Sequence, residues 1–404
     1  MILRRSPASS LIGWLSVAQL ISWGSVFYLF GLLIEPVEQA LALSRAESSL
    51  AFSLALLAEG LLAWPVGRLI DRGHERVVMS AGSALLGVCL LLHSVVDSQA
   101  GFYLVWAGLG AGLAGTLYPP AFAVVIRRYP HNFRRAIIVI TFLGGLASTV
   151  FIPLIAWLIN GLGWRQALWP LAALQLLVCL PIHAVVLRGA PRHTTSPGTT
   201  RAPLGHHLRS APYLLVGVFI VLLMGVTAAL PAHMVSLLRG YGLPQTWVIG
   251  LPAAIGLLQV LGRALLFFFE HHLDPHQVNR LIPCLIPLSL LLLLLAPLAS
   301  AAQLVLVLLF VLVYGMGNGM FTIVKGTAVA EYVNREQAAS LNGALGLPMA
   351  LGRAAAPLLL GVMWDPAGGY TSGLALMLAL SLLGVAALVR AQQLWSRQPK
   401  PTRR

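Results

Sequence analysis

The sequence predicts an all-α polytopic membrane protein, with twelve transmembrane helices in two pseudo-symmetric six-helix bundles. Three observations carry that prediction. Hydrophobic residues fill 58% of the 404 positions and charged residues only 9%, with a mean hydropathy of +0.85. Uncharged runs recur from end to end, each long enough for a hydrocarbon core of about 30 Å, which takes roughly 20 residues at 1.5 Å each. A single long polar stretch, from Arg188 to Pro212, divides those runs six and six. A soluble chain of this length has no use for so much apolar surface.

The twelve runs cover 11–33, 47–69, 77–96, 102–126, 136–158, 166–187, 213–235, 247–269, 280–298, 302–327, 341–364 and 371–390. A barrel would need segments of about ten residues with strict alternation, and none alternates. Spans 4, 10 and 11 are rich in glycine and proline, which neighbouring helices can accommodate. Arg4 and Arg5 before an apolar run resemble the start of a signal peptide. The run from Leu11 to Leu33 is too long for one and lacks a clear cleavage site, so it reads as span 1. Cys89, Cys179 and Cys284 fall in separate spans without ligand spacing, which leaves them as small membrane-embedded residues with no disulfide and no metal.

The net charge of +14 has a topological origin. With the N-terminus cytoplasmic, twenty Lys and Arg fall on the cytoplasmic side, among them Arg68, Arg72, Arg76, Arg127 and Arg128. Only Arg45, Arg165 and Arg239 lie opposite, and three more stand inside spans. That is the positive-inside pattern, with both termini cytoplasmic, and it removes the nucleic-acid reading of a basic chain. A bacterial inner (plasma) membrane location follows as the expectation.

Residues 1–187 form the first bundle, 188–212 a Pro-, Ser-, Thr- and Arg-rich cytoplasmic linker, and 213–404 the second bundle with a short basic tail. Weak internal symmetry supports the division. Gly108, Gly110 and Gly112 of span 4 recur as Gly315, Gly317 and Gly319 of span 10, offset by 207. Pro153 in span 5 has a counterpart in Pro357 in span 11, as in transporters built from parallel repeats.

The stretch GRLIDRGHERV from Gly67 resembles the signature loop between spans 2 and 3 of the major facilitator superfamily, with Gly67, Asp71, Arg72, Gly73 and Arg76 in place. The resemblance implies the fold of that family and a conformational-gate role for these five residues. A narrower likeness joins YLFG from Tyr28, SRA from Ser44, GWRQA from Gly163, PLLLGVMWDPAGGYTSG from Pro357 and PAHMVSLLRGYGL from Pro231. It is similar to the bacterial monocarboxylate and oxalate/formate branch. In that branch a substrate-clamping arginine sits in span 8, where Arg263 stands, and a clamping lysine in span 11, where this chain has Arg353. Animal-type monocarboxylate carriers pair a span 1 lysine with an acid beside the span 8 arginine. This chain has neither, so that mechanism does not transfer intact.

A charge at membrane depth is costly and marks a functional candidate. Arg263 lies eight residues before His271 at the cytoplasmic boundary, with Gln259 one turn away on the same face. Guanidinium matches a carboxylate bidentately, although an arginine can also snorkel to the interface. Arg353 stands among Ala, Gly and Pro near the middle of span 11, free to clamp substrate or to pair with Glu59. Lys325 shares a helix face with Asn318 and Thr322, either as a third clamp or snorkelling. Glu59, twelve residues before Asp71, is a proton-coupling candidate or a static salt bridge. His233 is a second candidate for coupling, or an interfacial histidine. Trp23, Phe27, Tyr28, Tyr118 and Thr141 can line a cavity or simply pack. Glu270, His271, His272, Asp274 and His276 resemble a metal string, but read as a solvated loop.

No metalloprotease, nucleotide-binding or nucleophile-elbow motif appears, so neither an enzyme nor an ATP-driven pump is expected, and no cofactor. Three cations against one acid point to secondary, alternating-access transport of a small organic anion, a mono- or dicarboxylate, by proton symport or anion exchange. The alternative is efflux of drugs or of hydrophobic or acidic metabolites. The expected partners are the anionic substrate, a coupling proton and membrane lipid, around a monomer.

Overall fold

Hydrocarbon offers no partner to a backbone N–H or C=O, so each apolar run closes its own hydrogen bonds as a helix. The computed structural model describes residues 7–129, 133–189, 205–269, 274–299, 301–334 and 338–396. Among these the only strand-like feature is an isolated bridge between Asp365 and Gly369. Eleven helices are long and apolar enough to cross a membrane: Ser10–Leu41, Arg45–Ile70, Glu75–His93, Gln99–Arg128, Ala136–Leu162, Trp164–Val186, Ala211–Gly240, Gln245–Leu266, His276–Leu298, Gln303–Tyr332 and Thr371–Ser396. A shorter apolar helix, Gly346–Val362, stands where the twelfth is expected, as span 11. The expected linker lies largely outside the described residues.

Hydropathy finds the apolar part of each helix and misses its polar ends. Span 1 runs on to Leu41 and carries Glu35 and Glu38 in its last turns. Ala42 stops it in a left-handed conformation (φ 52°), and Ser44 starts span 2 with a reciprocal cap to Glu47. On the opposite side of the membrane, the turn from span 2 to span 3 needs Gly73, whose φ of 91° few other residues tolerate.

Several spans are interrupted, and each break has a local cause. Span 4 breaks at Leu117 because Pro119 and Pro120 cannot donate to the carbonyls one turn back. The carbonyl of Thr116 accepts from the Gln19 side chain of span 1 instead. Spans 5 and 11 are not the continuous helices that the apolar runs 136–158 and 341–364 suggest. Span 5 is split into Phe133–Gly145 and Ala147–Leu162, and span 11 into Ala338–Ala344 and Gly346–Val362. At the two breaks Leu146 and Leu345 donate three residues back, to Leu143 and Asn342, both at 3.1 Å. The Gly144-Gly145 and Gly343-Ala344-Gly346 surroundings favour the same local turn in both halves of the sequence. Wider π-turns occupy Trp23–Phe27 in span 1 and Leu174–Cys179 in span 6.

The residues gather into two compact units. The first draws on Met1–Thr195, Ala229–Leu257 and Ala354–Trp364, the second on Ser196–Ala228, Leu258–Arg353 and Asp365–Arg404. Spans 7, 8 and 11 therefore contribute to both. In the first unit Phe30 and Phe52 stack at 4.7 Å with Trp106 edge-on to both, all three buried. In the second, Phe219 meets Phe321 edge-on at 5.7 Å.

Lipid is as apolar as leucine, so close backbone approach rather than water exclusion holds such helices together. Gly110 of span 4 lies against the Ala55 backbone of span 2, and Gly319 of span 10 against the Gln259 backbone of span 8. The constant offset of 207 would make Gly317, not Gly319, the counterpart of Gly110. Gly317 instead abuts Leu285 of span 9, as Gly112 abuts Leu86 of span 3. The glycine triplets recur, but their roles are exchanged within each triplet. Gly110→Ala is expected to destabilise the protein by about 1–3 kcal/mol through overpacking. Gly326→Ala, with open space around it, should be neutral or stabilising by a few tenths. Thermal unfolding in detergent compares the two.

Candidate functional site

All three intramembrane cations, with Gln259 and Asn318, belong to the second unit. The crossing of spans 8 and 10 positions the first of them. A Cβ at Gly262 would meet the Met316 carbonyl at 2.6 Å, and the tight contact of Gly319 with Gln259 lies one turn along. This proximity lets Arg263 Nε donate to the Gly319 carbonyl at 3.2 Å. Thr322 Oγ1 donates to the same oxygen at 2.8 Å, so one carbonyl takes two side-chain donors. Gln259 is buried, while Arg263, Asn318 and Lys325 are half-buried.

Lys325 lies six residues beyond Gly319, about 9 Å along span 10. Its Nζ approaches Met224 Sδ of span 7 at 3.0 Å. One turn before Met224, Val221 packs against Gly352, the residue preceding Arg353. Spans 10 and 11 thus bring Lys325 and the backbone at Arg353 to the same turn of span 7. Tyr314 OH adds a donor to Thr227 of that span at 3.3 Å.

The first unit holds the aromatic candidates together. Tyr118 follows the break in span 4, stacks on Phe122 at 5.3 Å and tilts against Trp23 at 5.2 Å. Trp23 meets Phe27 at 4.9 Å, and Phe27 meets Tyr28 at 5.4 Å. The indole Nε1 of Trp23 is buried without a hydrogen-bond partner. Glu59 is buried at 7% exposure. Thr141 turns its hydroxyl to the Ile138 carbonyl of its own helix. His233 is fully buried within the protein and donates from Nε2 to the Pro357 carbonyl at 3.0 Å.

Of the signature loop, Gly67 lies in open space and Arg72 and Arg76 are exposed. Asp71 closes the span 2 helix. The ordering group there is Glu75, a residue that motif spacing alone did not single out. It is fully buried and pairs with Arg127 at 3.0 Å and Arg128 at 2.6 Å, both at the end of span 4. Arg127 also donates to the Ile70 carbonyl, and Arg128 to the Leu187 carbonyl at the end of span 6. One carboxylate therefore ties the ends of spans 2, 4 and 6. The sequence signal was available in the adjacent arginines, which net-charge counting treats only as basic loop. In the residues suggestive of a metal string, Asp274 accepts from the His276 backbone N–H as a helix cap, and 270–273 lie outside the described residues. Among the described residues no cluster of His, Cys, Asp and Glu is placed to hold a metal.

On the face opposite the signature loop, Glu35 accepts from Ser236 Oγ at 2.7 Å and pairs with Arg239, both from the end of span 7. Glu38 pairs with Arg45 at 2.7 Å, and the Arg45 guanidinium lies over Trp364 at 5.0 Å.

The sequence profile of the Major Facilitator Superfamily matches residues 15–357. Among curated proteins, the chain is similar to "Monocarboxylate transporter 13" of Rattus norvegicus, 26% identical over 349 residues covering 82% of this chain and 77% of that one. The Bos taurus protein of the same name is 26% identical over 343 residues, covering 80% and 76%. Among solved structures, a bacterial homologue of the human lysosomal transporter Spinster, inward-facing and unoccupied, aligns with a TM-score of 0.74 at 18% identity over 98% of this chain and 100% of that one. The nucleoside transporter NupG aligns with a TM-score of 0.69 at 15% identity, over 96% and 100%. These structural likenesses concern the fold.

Replacing Glu75 with Gln strands two largely buried guanidinium groups. Loss of one partner of a buried ion pair costs about 3–5 kcal/mol. Glu75→Gln should therefore lower the unfolding temperature in detergent far more than Glu47→Gln, whose carboxylate is exposed.

Proposed function

The chain belongs to the major facilitator superfamily, a family of membrane transporters rather than enzymes, and we propose that it carries a small organic anion, a mono- or dicarboxylate. The observation that carries this reading is the grouping of Arg263, Lys325 and Arg353 in one compact unit, all within membrane-spanning helices and all partly accessible. Three cations in so apolar a setting repel one another, and an anion relieves that repulsion. A carboxylate binds guanidinium through two parallel hydrogen bonds, which suits Arg263 and Arg353, with Lys325 as a point charge. Two curated relatives are named as monocarboxylate transporters, which favours the same substrate class.

Gln259 and Asn318 supply neutral hydrogen-bonding groups in the same unit as the cations, and within the first unit Trp23, Tyr28 and Tyr118 belong to one aromatic cluster. Substrate then alters the balance between the states of an alternating-access cycle by its different affinity for each. Glu59 is the proton-coupling candidate for symport, with His233 beside it in that role; anion exchange is the other mode. The chain works as a monomer in a bacterial inner membrane with both termini cytoplasmic, in accord with its basic loops. Gly67, Asp71, Arg72, Gly73 and Arg76 act in the conformational gate. Drug efflux is the less favoured reading, because three cations repel cationic drugs.

The test is thermal stabilisation of purified protein by acetate, oxalate and benzoate, against amines and neutral drugs. Ligand that binds only the folded state raises its stability by mass action. Arg263→Ala and Arg353→Ala should each weaken the effective anion by about 10- to 100-fold, as expected for losing a charged hydrogen bond of roughly 1.5–3 kcal/mol. Stabilisation by amines alone, or variants that respond like wild type, would overturn the anion reading.

A further inference from the structure

The Glu35–Arg239 pair borders a groove of about 500 Å³ at the end of span 1, lined by Glu35, Pro36, Gln39, Ala40, Trp164 and Arg239. All six residues belong to the first unit, well apart in sequence from the cations of spans 8, 10 and 11. We propose that this groove is a second anion site, a docking subsite for carboxylates, in which Glu35 acts as a built-in competitor for Arg239. The inference rests on the organic-anion reading above for its substrate class, and on the groove alone for its geometry.

The two partners of the ion pair are unequal. The Arg239 side chain is 42% exposed and that of Glu35 is 23% exposed. Glu35 keeps a second donor, Ser236 Oγ at 2.7 Å, so it remains hydrogen-bonded when Arg239 turns away. Arg239 meets one oxygen of Glu35 while Ser236 donates to the other. A ligand carboxylate can therefore take over the guanidinium, with two oxygens to offer it, and the exchange leaves neither carboxylate without a donor. An incoming amine has no such arrangement, because it would have to contend with both Arg239 and Ser236 for Glu35. The neighbouring acid, Glu38, is engaged by Arg45 and does not contest Arg239. Gln39 offers an amide to the ligand, and Trp164 an aromatic face for its apolar body.

The consequence is mechanical. Ser236 and Arg239 lie one turn apart on span 7, and through Glu35 they fasten that turn to span 1. When a carboxylate occupies Arg239, half of the fastening is gone. Binding of a carboxylate at Arg239 thus loosens a contact between spans 1 and 7.

Benzoate is the probe, and detergent-purified full-length protein is the sample, so that membrane sidedness plays no part. Gln39, exposed at the groove, is changed to Cys on a Cys284→Ser background, and its rate of maleimide labelling is measured as benzoate is raised. Benzoate should slow labelling at least fivefold at saturation. Arg239→Gln should abolish the protection, whereas Arg263→Ala and Arg353→Ala should retain it. Glu35→Gln should shift half-protection to severalfold lower benzoate, since the competitor is gone; a misfolded variant cannot gain affinity in this way. In wild type, benzoate should also hasten amide exchange over 236–242, and Glu35→Gln should show fast exchange without it. Unchanged or weaker protection in Glu35→Gln, or protection that survives Arg239→Gln, overturns the subsite. Protection lost with Arg263→Ala assigns it to the deeper cations and overturns the subsite too. Slower or unaltered exchange in 236–242 overturns the loosening. Protection at Gln39 with no anion effect dependent on Arg263 or Arg353 would leave the groove standing while the deeper clamp fails.

Discussion

A backbone inside hydrocarbon must satisfy its own hydrogen bonds, and the rest of this structure follows from that constraint. It makes each apolar run a helix, and it makes each departure from a regular helix demand a compensating group. The break in span 4 is an example. Pro119 and Pro120 withdraw two donors, and Gln19, reaching from span 1, supplies one to the freed Thr116 carbonyl. The same break presents Tyr118 beside Trp23, so a backbone defect and an aromatic cluster have one origin. The paired interruptions at Leu146 and Leu345 repeat the theme with a local turn in place of a side chain.

Charge obeys a related economy. Four ion pairs lie at helix ends: Glu75 with Arg127 and Arg128 on one face, and Glu35 with Arg239 and Glu38 with Arg45 on the other. There water and loop backbone reduce the cost of holding a charge, and the pairs connect spans that are distant in sequence. The cations at membrane depth are treated differently. Arg263 donates to the Gly319 carbonyl and Lys325 approaches the Met224 thioether.

Much of the fold was legible because its signals are local. Spans need only consecutive apolar residues, and the twelve expected runs match eleven long helices and one shorter helix. The candidate cations were legible for the same reason, since a lysine or arginine within an apolar run stands out whatever surrounds it. Interruption was less legible. A glycine-rich stretch such as that around Leu146 is compatible with helix, turn or tight crossing, and only its neighbours choose among them. The exchanged roles of Gly110, Gly112, Gly317 and Gly319 illustrate the point: their spacing recurs in sequence, but helix rotation decides which of them meets which partner.

By itself the sequence determined the class of protein, the number of its apolar runs, the asymmetry of its basic loops and the identity of its membrane-embedded charges. Each of these depends on transfer of residues from water to lipid, a property of short segments. Tertiary structure alone decided that Glu75, which is not one of the five motif residues named in the signature loop, joins spans 2, 4 and 6. It also decided that His233 is buried against span 11, that Arg263 rests on the Gly319 carbonyl, and that Glu35 meets Arg239 across some two hundred positions. Those facts depend on helix rotation and on crossing points a few ångströms wide, set by packing among segments remote in the chain, which no local pattern encodes.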